Sequence, residues 1–267
     1  MIELLKYIFL GFIQGMTETI PVSSSGHLMI FKKIIDLKID FDTIAILTNF
    51  GSLIAIIILF RKDLKELIES FFKYLFTKNK KYQQGYKYCW LIVIGCIPAG
   101  LAGLLVSKFD LLDKIDNNVK IVGISLIITA TLLFIIRNFK GKKSDNQITV
   151  KDAIIIGTFQ IIGLFPGISR SGSTIVGGMT RKLKRDTAFK YSFMLYIPMS
   201  IAAMALEITD LNISKDLLLH YGLAIITSLI VTFIVTKWFR RIVNEGKLIY
   251  FTIYCLIIGV LTILFLK

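Results

Sequence analysis

The chain has 267 residues, 55% of them hydrophobic, and its 32 Lys and Arg against 18 Asp and Glu give a formal charge of +14. A mean hydropathy of +0.71 and an apolar content above the roughly 45–50% of soluble domains exclude an ordinary soluble globule and indicate a bilayer protein. The positive balance does not indicate nucleic acid, because Lys and Arg fall in loops between apolar runs and form no aromatic-interleaved basic domain.

In chain order, the first apolar segment runs from Tyr7 to Phe31 and contains Glu18 and His27. It shows no small-residue cleavage site and is broken by polar residues, so it is expected to remain in the mature protein. Six further runs of about 16 to 20 residues carry almost no charge: Asp42 to Phe60, Cys89 to Val106, Val119 to Ile136, Tyr191 to Leu206, Leu217 to Thr236 and Leu248 to Leu266. Each is long enough to cross roughly 30 Å of hydrocarbon as a helix. Cys89, Cys96 and Cys255 lie in or beside these runs without metal-ligand spacing, and no disulfide framework is implied. Pro98 and Pro198 are expected to kink their helices, while Gly95, Ala99 and Gly103 suit close helix packing. His220 and Glu207, at span ends, read as structural.

Lys and Arg number eight from Arg61 to Lys87, five from Arg137 to Lys151, five from Arg181 to Lys190 and four from Lys237 to Lys247. These loops are expected on the cytoplasmic side. Ser107 to Asn118 and Glu207 to Asp216 hold only two and one basic residues, each with three acids, and fit the outer face. The segment from Ala153 to Thr180, which contains Arg170, has basic loops on both flanks, so a single crossing would put one of them outside. A hairpin entering from the cytoplasm keeps both inside. By the same argument Tyr7 to Phe31 is a hairpin entering from outside, although Lys32, Lys33 and Lys38 make that side less clean.

A shift of 146 residues aligns Gly11 with Gly157, Gln14 with Gln160, Ser23 with Ser169, Ser25 with Ser171 and Gly26 with Gly172. The expected fold is therefore all-α: one integral membrane domain over residues 1–267, with six transmembrane helices and two re-entrant helix hairpins. The two repeats cover 1–140, with a hairpin over about 4–31, and 150–267, with a hairpin over about 152–180. Three spans per repeat invert the second relative to the first. Broken helices at membrane depth belong where protein or a watery cavity surrounds them.

The first broken segment reads GFIQGMTETIPVSSSGHL from Gly11. Gln14 and Glu18 share a helix face, Pro21 ends that helix, and Ser23, Ser24 or Ser25 can cap the next, whose free N–H groups attract anions. Ser24 and His27 are three apart, within reach for a nucleophile and its base. The second segment, FPGISRSGST from Phe165, breaks at Pro166 and Gly167 and restarts at Ser169, with Arg170 and Thr174 on one face. Arg suits bidentate phosphate recognition. A lone membrane Ser usually bonds its own backbone and a lone His a neighbour, so neither is decisive. Charges at depth are different, because an unpaired Glu18 or Arg170 would cost roughly 2.5–3.5 kcal/mol. The competing structural reading is a Glu18–Arg170 ion pair that pins the hairpins together. Gln14 and Gln160 read as supporting residues.

These segments resemble the bacitracin-resistance type undecaprenyl-diphosphate phosphatases, marked by a (Glu/Gln)-x-x-x-Glu motif, here Gln14 to Glu18, and a Pro-Gly-x-Ser-Arg-Ser-x-x-Thr motif, here Pro166 to Thr174. The PVSSSGHL run and the length and hydropathy extend the likeness over essentially the whole chain. The resemblance implies hydrolysis of undecaprenyl diphosphate to undecaprenyl phosphate and inorganic phosphate, recycling the lipid carrier for wall polymers and conferring bacitracin resistance. It also implies the bacterial cytoplasmic membrane, with a site open to the extracytoplasmic side, while the inverted architecture equally permits access from both sides.

Carried over residue by residue, Glu18, Ser24, His27 and Arg170 are the expected catalytic set. Ser23, Ser25, Gly167, Ser169, Ser171, Ser173 and Thr174 join Arg170 around the phosphates. Position 14 takes Gln where many members have Glu. The expected mechanism has Ser24 attack the terminal phosphorus, His27 act as base and then acid, and Glu18 orient His27 or hold a metal; direct attack by His27 is the rival. The family's divalent cation, Mg²⁺ or Ca²⁺, would sit on Glu18 and diphosphate oxygens. Expected partners are the lipid diphosphate and surrounding membrane lipids, without nucleic acid; a homodimer stays open alongside a monomer. The same architecture also fits a transporter of undecaprenyl phosphate. A channel for soluble ligands fits poorly, since no polar stripe continues along any span.

Overall fold

A computed structural model gives the structure and describes residues 2–35, 40–109, 118–208, 211 and 213–266. Among the described residues the regular structure is helical: α1 (Ile2–Thr17), α2 (Ser24–Ile35), α3 (Phe41–Leu59), α4 (Arg61–Thr77), α5 (Gln83–Lys108), α6 (Val119–Ile136), α7 (Val150–Ile162), α8 (Arg170–Thr180), α9 (Arg185–Glu207), α10 (Leu218–Glu245) and α11 (Ile249–Phe265). Five of them, α3, α5, α6, α9 and α10, are long and apolar enough to cross a membrane. The sixth expected span corresponds to α11, a 17-residue apolar helix. Lys38 and much of the two acidic segments lie outside the described residues.

Helices α2, α7 and α8 have 12, 13 and 11 residues and reach about 16–20 Å each, short of a bilayer's hydrocarbon core. The turns between α1 and α2 and between α7 and α8 fall at the two Pro-containing breaks. Pro98 and Pro198 lie inside α5 and α9. Gly95 packs against Tyr191 and Leu195 as its spacing suggests, whereas Gly103 faces open space.

The stretch from Arg61, expected as a basic loop, contains α4. Its charges Arg61, Lys62 and Lys65 break any continuous apolar run, but apolar residues recur at helical spacing. Leu64, Leu67 and Phe71 line an apolar slot of about 230 Å³ together with Ile92, Met194 and Pro198 of α5 and α9. Ile68, Phe72 and Phe76 stay exposed. Such a helix suits the membrane interface.

Helix α1 packs on α10, α5 on α7 and α6 on α11. Hydroxyls fasten α3 to α10: Ser52 Oγ lies 2.9 Å from Ser228 Oγ and 2.8 Å from Thr232 Oγ1. In a bilayer such bonds and close contact replace a hydrophobic driving force.

Ion pairs collect the four basic segments at one end of the molecule. Lys190 Nζ lies 2.6 Å from Asp63 and 3.3 Å from Asp145, and Arg240 binds Asp186 through Nε at 2.8 Å and Nη2 at 3.0 Å. The fully buried Asp152 accepts from Lys143 Nζ at 2.9 Å and Arg181 Nε at 2.7 Å. Asp40, Asp42 and Glu207, by contrast, lie at the far ends of α3 and α9.

Candidate active site

The two broken segments meet tip to tip. A Cβ on Gly26 would stand 3.0 Å from Gly167 Cα, and one on Gly172 would stand 3.1 Å from Pro21 Cβ. These contacts are equivalent under the 146-residue shift, which carries 21 to 167 and 26 to 172. Gly167 has φ +85, a left-handed conformation in which a side chain would be strained.

The helix starts repeat as well. Ser23 Oγ accepts from Gly26 N at 3.2 Å, and Ser169 Oγ accepts from Gly172 N at 3.1 Å. Ser23 and Ser25 hydroxyls lie 3.3 Å apart, and Ser169 and Ser171 hydroxyls 3.2 Å apart. Two serine-capped helix N-termini, α2 and α8, thus sit together, each presenting unpaired N–H groups and a positive dipole end.

Glu18 holds the centre. Its Oε1 accepts from Arg170 Nη2 at 2.8 Å, and its Oε2 accepts from Gln14 Nε2 at 2.8 Å and Ser24 Oγ at 2.5 Å. The Glu18 side chain is 5% exposed and that of Arg170 27%, so this is a charge pair sheltered on one side and open on the other. The structural reading of the pair is realised, since it ties the end of α1 to the start of α8. The same two residues also line a cavity of about 740 Å³ with Gln14, Ser23, Ser24, Ser25, Asn49 and Ser169. That cavity runs out to Asp40, Asp42 and Glu207, away from the basic end. Its floor is deep: Arg170 lies over the ring of Tyr196, 4.5 Å from the centroid, and Tyr196 is about 16 Å along α9 from Arg185 at the helical rise.

His27 is not where its spacing suggests. Its Nδ1 lies 2.8 Å from the Ser23 carbonyl and its Nε2 2.7 Å from the Tyr254 hydroxyl, so both ring nitrogens are engaged and the Ser24 hydroxyl donates to Glu18 instead. The Ser23 carbonyl, one turn back, and Tyr254 of α11 hold the ring on its two sides, and the ring stacks on Tyr254 at 5.6 Å; Ser23 itself is left-handed, with φ +67. The expected Ser24–His27 contact and the expected Glu18–His27 contact are therefore replaced by Ser24–Glu18.

Other expected residues separate into two groups. Ser173 Oγ donates to the Ser169 carbonyl at 2.9 Å. Thr174 Oγ1 donates toward the carbonyls of Arg170 and Ser171, each at 3.1 Å, and lies 2.5 Å from Ser192 Oγ. Ser173 serves the scaffold, as Gly167 does, while Ser23, Ser25 and Ser169 reach the cavity wall and Ser171 and Thr174 line a smaller pocket behind it. Among the described residues Gln14 Oε1 and Gln160 Nε2 are buried without a hydrogen-bond partner.

The sequence reading missed Tyr196, whose hydroxyl donates to Asn49 Oδ1 at 3.1 Å, and Ser200, 3.4 Å from Arg170 Nη1. Asn49 carried a usable signal, being an amide inside an apolar run; a Tyr on a span carries none. Among the described residues no three His, Cys, Asp or Glu cluster as a ready metal site.

Helical hairpins that bring helix N-termini, a guanidinium and a carboxylate-bound serine around one deep polar cavity define a polytopic membrane protein with an anion-handling site. The family model described as "Bacitracin resistance protein BacA" matches residues 7–261, and the chain belongs to that family of multi-pass membrane proteins. It is 45% identical to "Undecaprenyl-diphosphatase 2" of Bacillus thuringiensis (strain Al Hakam), with 98% of each chain covered. It is 42% identical to "Undecaprenyl-diphosphatase 1" of Bacillus licheniformis, again over 98% of each chain. It is 37% identical to "Undecaprenyl-diphosphatase" of Oceanobacillus iheyensis, over 98% of this chain and 97% of that one.

Proposed function

We propose that the protein hydrolyses undecaprenyl diphosphate to undecaprenyl phosphate and inorganic phosphate, with Ser24 as nucleophile and Glu18 as its base. The observation that carries this is the 2.5 Å bond from Ser24 Oγ to Glu18 Oε2 beside Arg170 at the cavity wall. Ser24 Oγ attacks the terminal phosphorus and passes its proton to Glu18. A Ser24 Oγ–P bond forms, the P–O anhydride bond breaks, and undecaprenyl phosphate leaves. Water then adds to the phosphoseryl phosphorus, the Oγ–P bond breaks, Ser24 takes its proton back from Glu18 and phosphate departs. Phosphoryl transfer is governed by placement and charge neutralisation, which Arg170 and the N–H groups opening α2 and α8 supply.

A divalent cation fits this wall only alongside substrate. Gln14 Oε1 is a buried acceptor without a donor, next to a Glu18 carboxylate that already receives three protein donors. Gln14 Oε1, Glu18 and diphosphate oxygens are the ligands a hard cation would take. When bound, it would neutralise phosphate charge.

The finer architecture we read as two inverted repeats with re-entrant hairpins. The reciprocal Gly26–Gly167 and Pro21–Gly172 contacts support it, as does the exchange of partners by which α1 packs on α10 and α7 on α5. Ion pairs that gather the Arg137–Lys151 and Arg181–Lys190 segments at one end support entry of α7 and α8 from the cytoplasm. The cavity's extension toward Asp40 and Glu207 then supports extracytoplasmic access in the bacterial cytoplasmic membrane.

The test is phosphate release from undecaprenyl diphosphate by pure protein in detergent, where there are no sides to transport between, followed by trapping of a phosphorylated residue. Release with phosphate on Ser24 is expected. Absence of release from the wild type would return the site to lipid transport.

A further inference from the structure

Residue 27 carries an imidazole that the Ser24–Glu18 chemistry does not use. It is 4% exposed and lies between the Ser23 carbonyl and the hydroxyl of Tyr254 on α11. A carbonyl oxygen only accepts, so Nδ1 carries the hydrogen. Nε2 of a neutral ring is then the acceptor, and Tyr254 Oη donates to it.

The second broken segment shows what the Nδ1 bond is for. Position 173, equivalent to 27 under the 146-residue shift, is Ser, and its Oγ donates to the Ser169 carbonyl at 2.9 Å as His27 Nδ1 binds the Ser23 carbonyl at 2.8 Å. In both places the backbone N–H of the same residue binds the same carbonyl, at 3.2 Å for His27 and 2.9 Å for Ser173. A hydroxyl does the work in one half, so proton transfer is not what the position requires.

The two caps differ in backbone conformation. Ser169 is extended, with φ −74, whereas Ser23 is left-handed, with φ +67, a conformation unfavourable for a non-glycine residue. The strained cap is the one directly before the nucleophile, and its anchors reach α11: Tyr254 binds His27, and the adjacent Cys255 Sγ lies 3.6 Å from the Pro21 carbonyl, whereas the Ser169 N–H donates to Thr129 Oγ1 of α6 at 3.3 Å.

Resting on the Ser24 reading, we propose that Tyr254 and His27 are a positioning pair. The Tyr254 hydroxyl fixes the Nδ1–H tautomer of His27, His27 holds the Ser23 carbonyl, and the Ser23–Ser24 peptide is thereby set so that Ser24 Oγ meets Glu18. Misplacing a reacting group by about 1 Å costs on the order of 100-fold, and that is the scale His27 is expected to control.

The experiment uses the full chain in detergent with undecaprenyl diphosphate as substrate, measuring kcat, KM, the pH profile and the melting temperature. His27→Ala lowers kcat by about 100-fold at unchanged KM. His27→Asn, whose amide nitrogen occupies the place of Nδ1, recovers most of that loss and keeps the wild-type pH profile. Tyr254→Phe lowers kcat about tenfold in the wild-type background and adds little to His27→Asn, since the two act through one contact. The proposal is overturned if Tyr254→Phe has wild-type kcat, if its loss is undiminished on His27→Asn, or if His27→Asn is as inactive as His27→Ala while melting at the wild-type temperature. Failure of the underlying reading shows separately, as activity retained by Ser24→Ala; failure of the pair alone leaves Ser24→Ala inactive.

Discussion

Replacing Glu18 with Gln tests the chemistry and the architecture together. The carboxylate accepts from Gln14 Nε2, Ser24 Oγ and Arg170 Nη2; a Gln amide offers one accepting oxygen and one donating nitrogen, so at least one donor is left facing another donor. It also leaves Arg170 without its counter-charge; because Arg170 is 27% exposed to the cavity, the loss should fall below the cost of breaking a fully buried pair, about 3–5 kcal/mol. Loss of a general base costs a further factor of about 10²–10⁴ in rate. We therefore expect Glu18→Gln to melt well below the wild type and to lose at least about 100-fold in kcat. Arg170→Gln should destabilise by a similar amount, but the double variant should fall well short of the sum, because both changes remove one interaction. The assays are thermal unfolding in detergent and phosphate release normalised to folded protein. A Glu18→Gln variant with wild-type kcat would refute Glu18 as base, and additive stability losses would refute the coupled pair.

Gly26→Ala places a Cβ 3.0 Å from Gly167 Cα and Val122 Cγ1, one contact being backbone that cannot step aside; a loss of about 1–3 kcal/mol is expected in thermal unfolding. Asp152→Asn removes a fully buried charge bound by Lys143, Thr149 and Arg181, so unfolding should show a loss of about 3–5 kcal/mol while kcat per folded molecule is unchanged. Gln14→Glu turns the unpartnered Oε1 into part of a second carboxylate beside Glu18, and titration with Mg²⁺ in the phosphate-release assay should reach half-maximal activity at lower concentration. An unchanged Mg²⁺ titration would place the cation elsewhere.

The helical membrane class, the run of apolar spans and the two broken segments were legible in the chain, because hydropathy, charge and breaker residues act over a few neighbours. Glu18 and Arg170 stood out for the same reason: a charge at depth is costly wherever it packs, so it must have a partner. Helix α4 was harder to see, since its apolar residues are spaced by the helical repeat among lysines. Windows tuned to continuous apolar runs pass over it.

Sequence by itself determined that Glu18 and Arg170, charges set in apolar segments, need a polar setting and a partner, since that demand is a local cost. Tertiary structure alone decided their pairing. Ser24 and His27 are close in sequence, but the Ser23 carbonyl and a tyrosine 227 residues away hold the imidazole away from the hydroxyl, and Arg170 reaches Glu18 from a separate segment. Side-chain direction at such a site follows from backbone dihedrals and from contacts across the bundle, and neither is written in the spacing of neighbours along the chain.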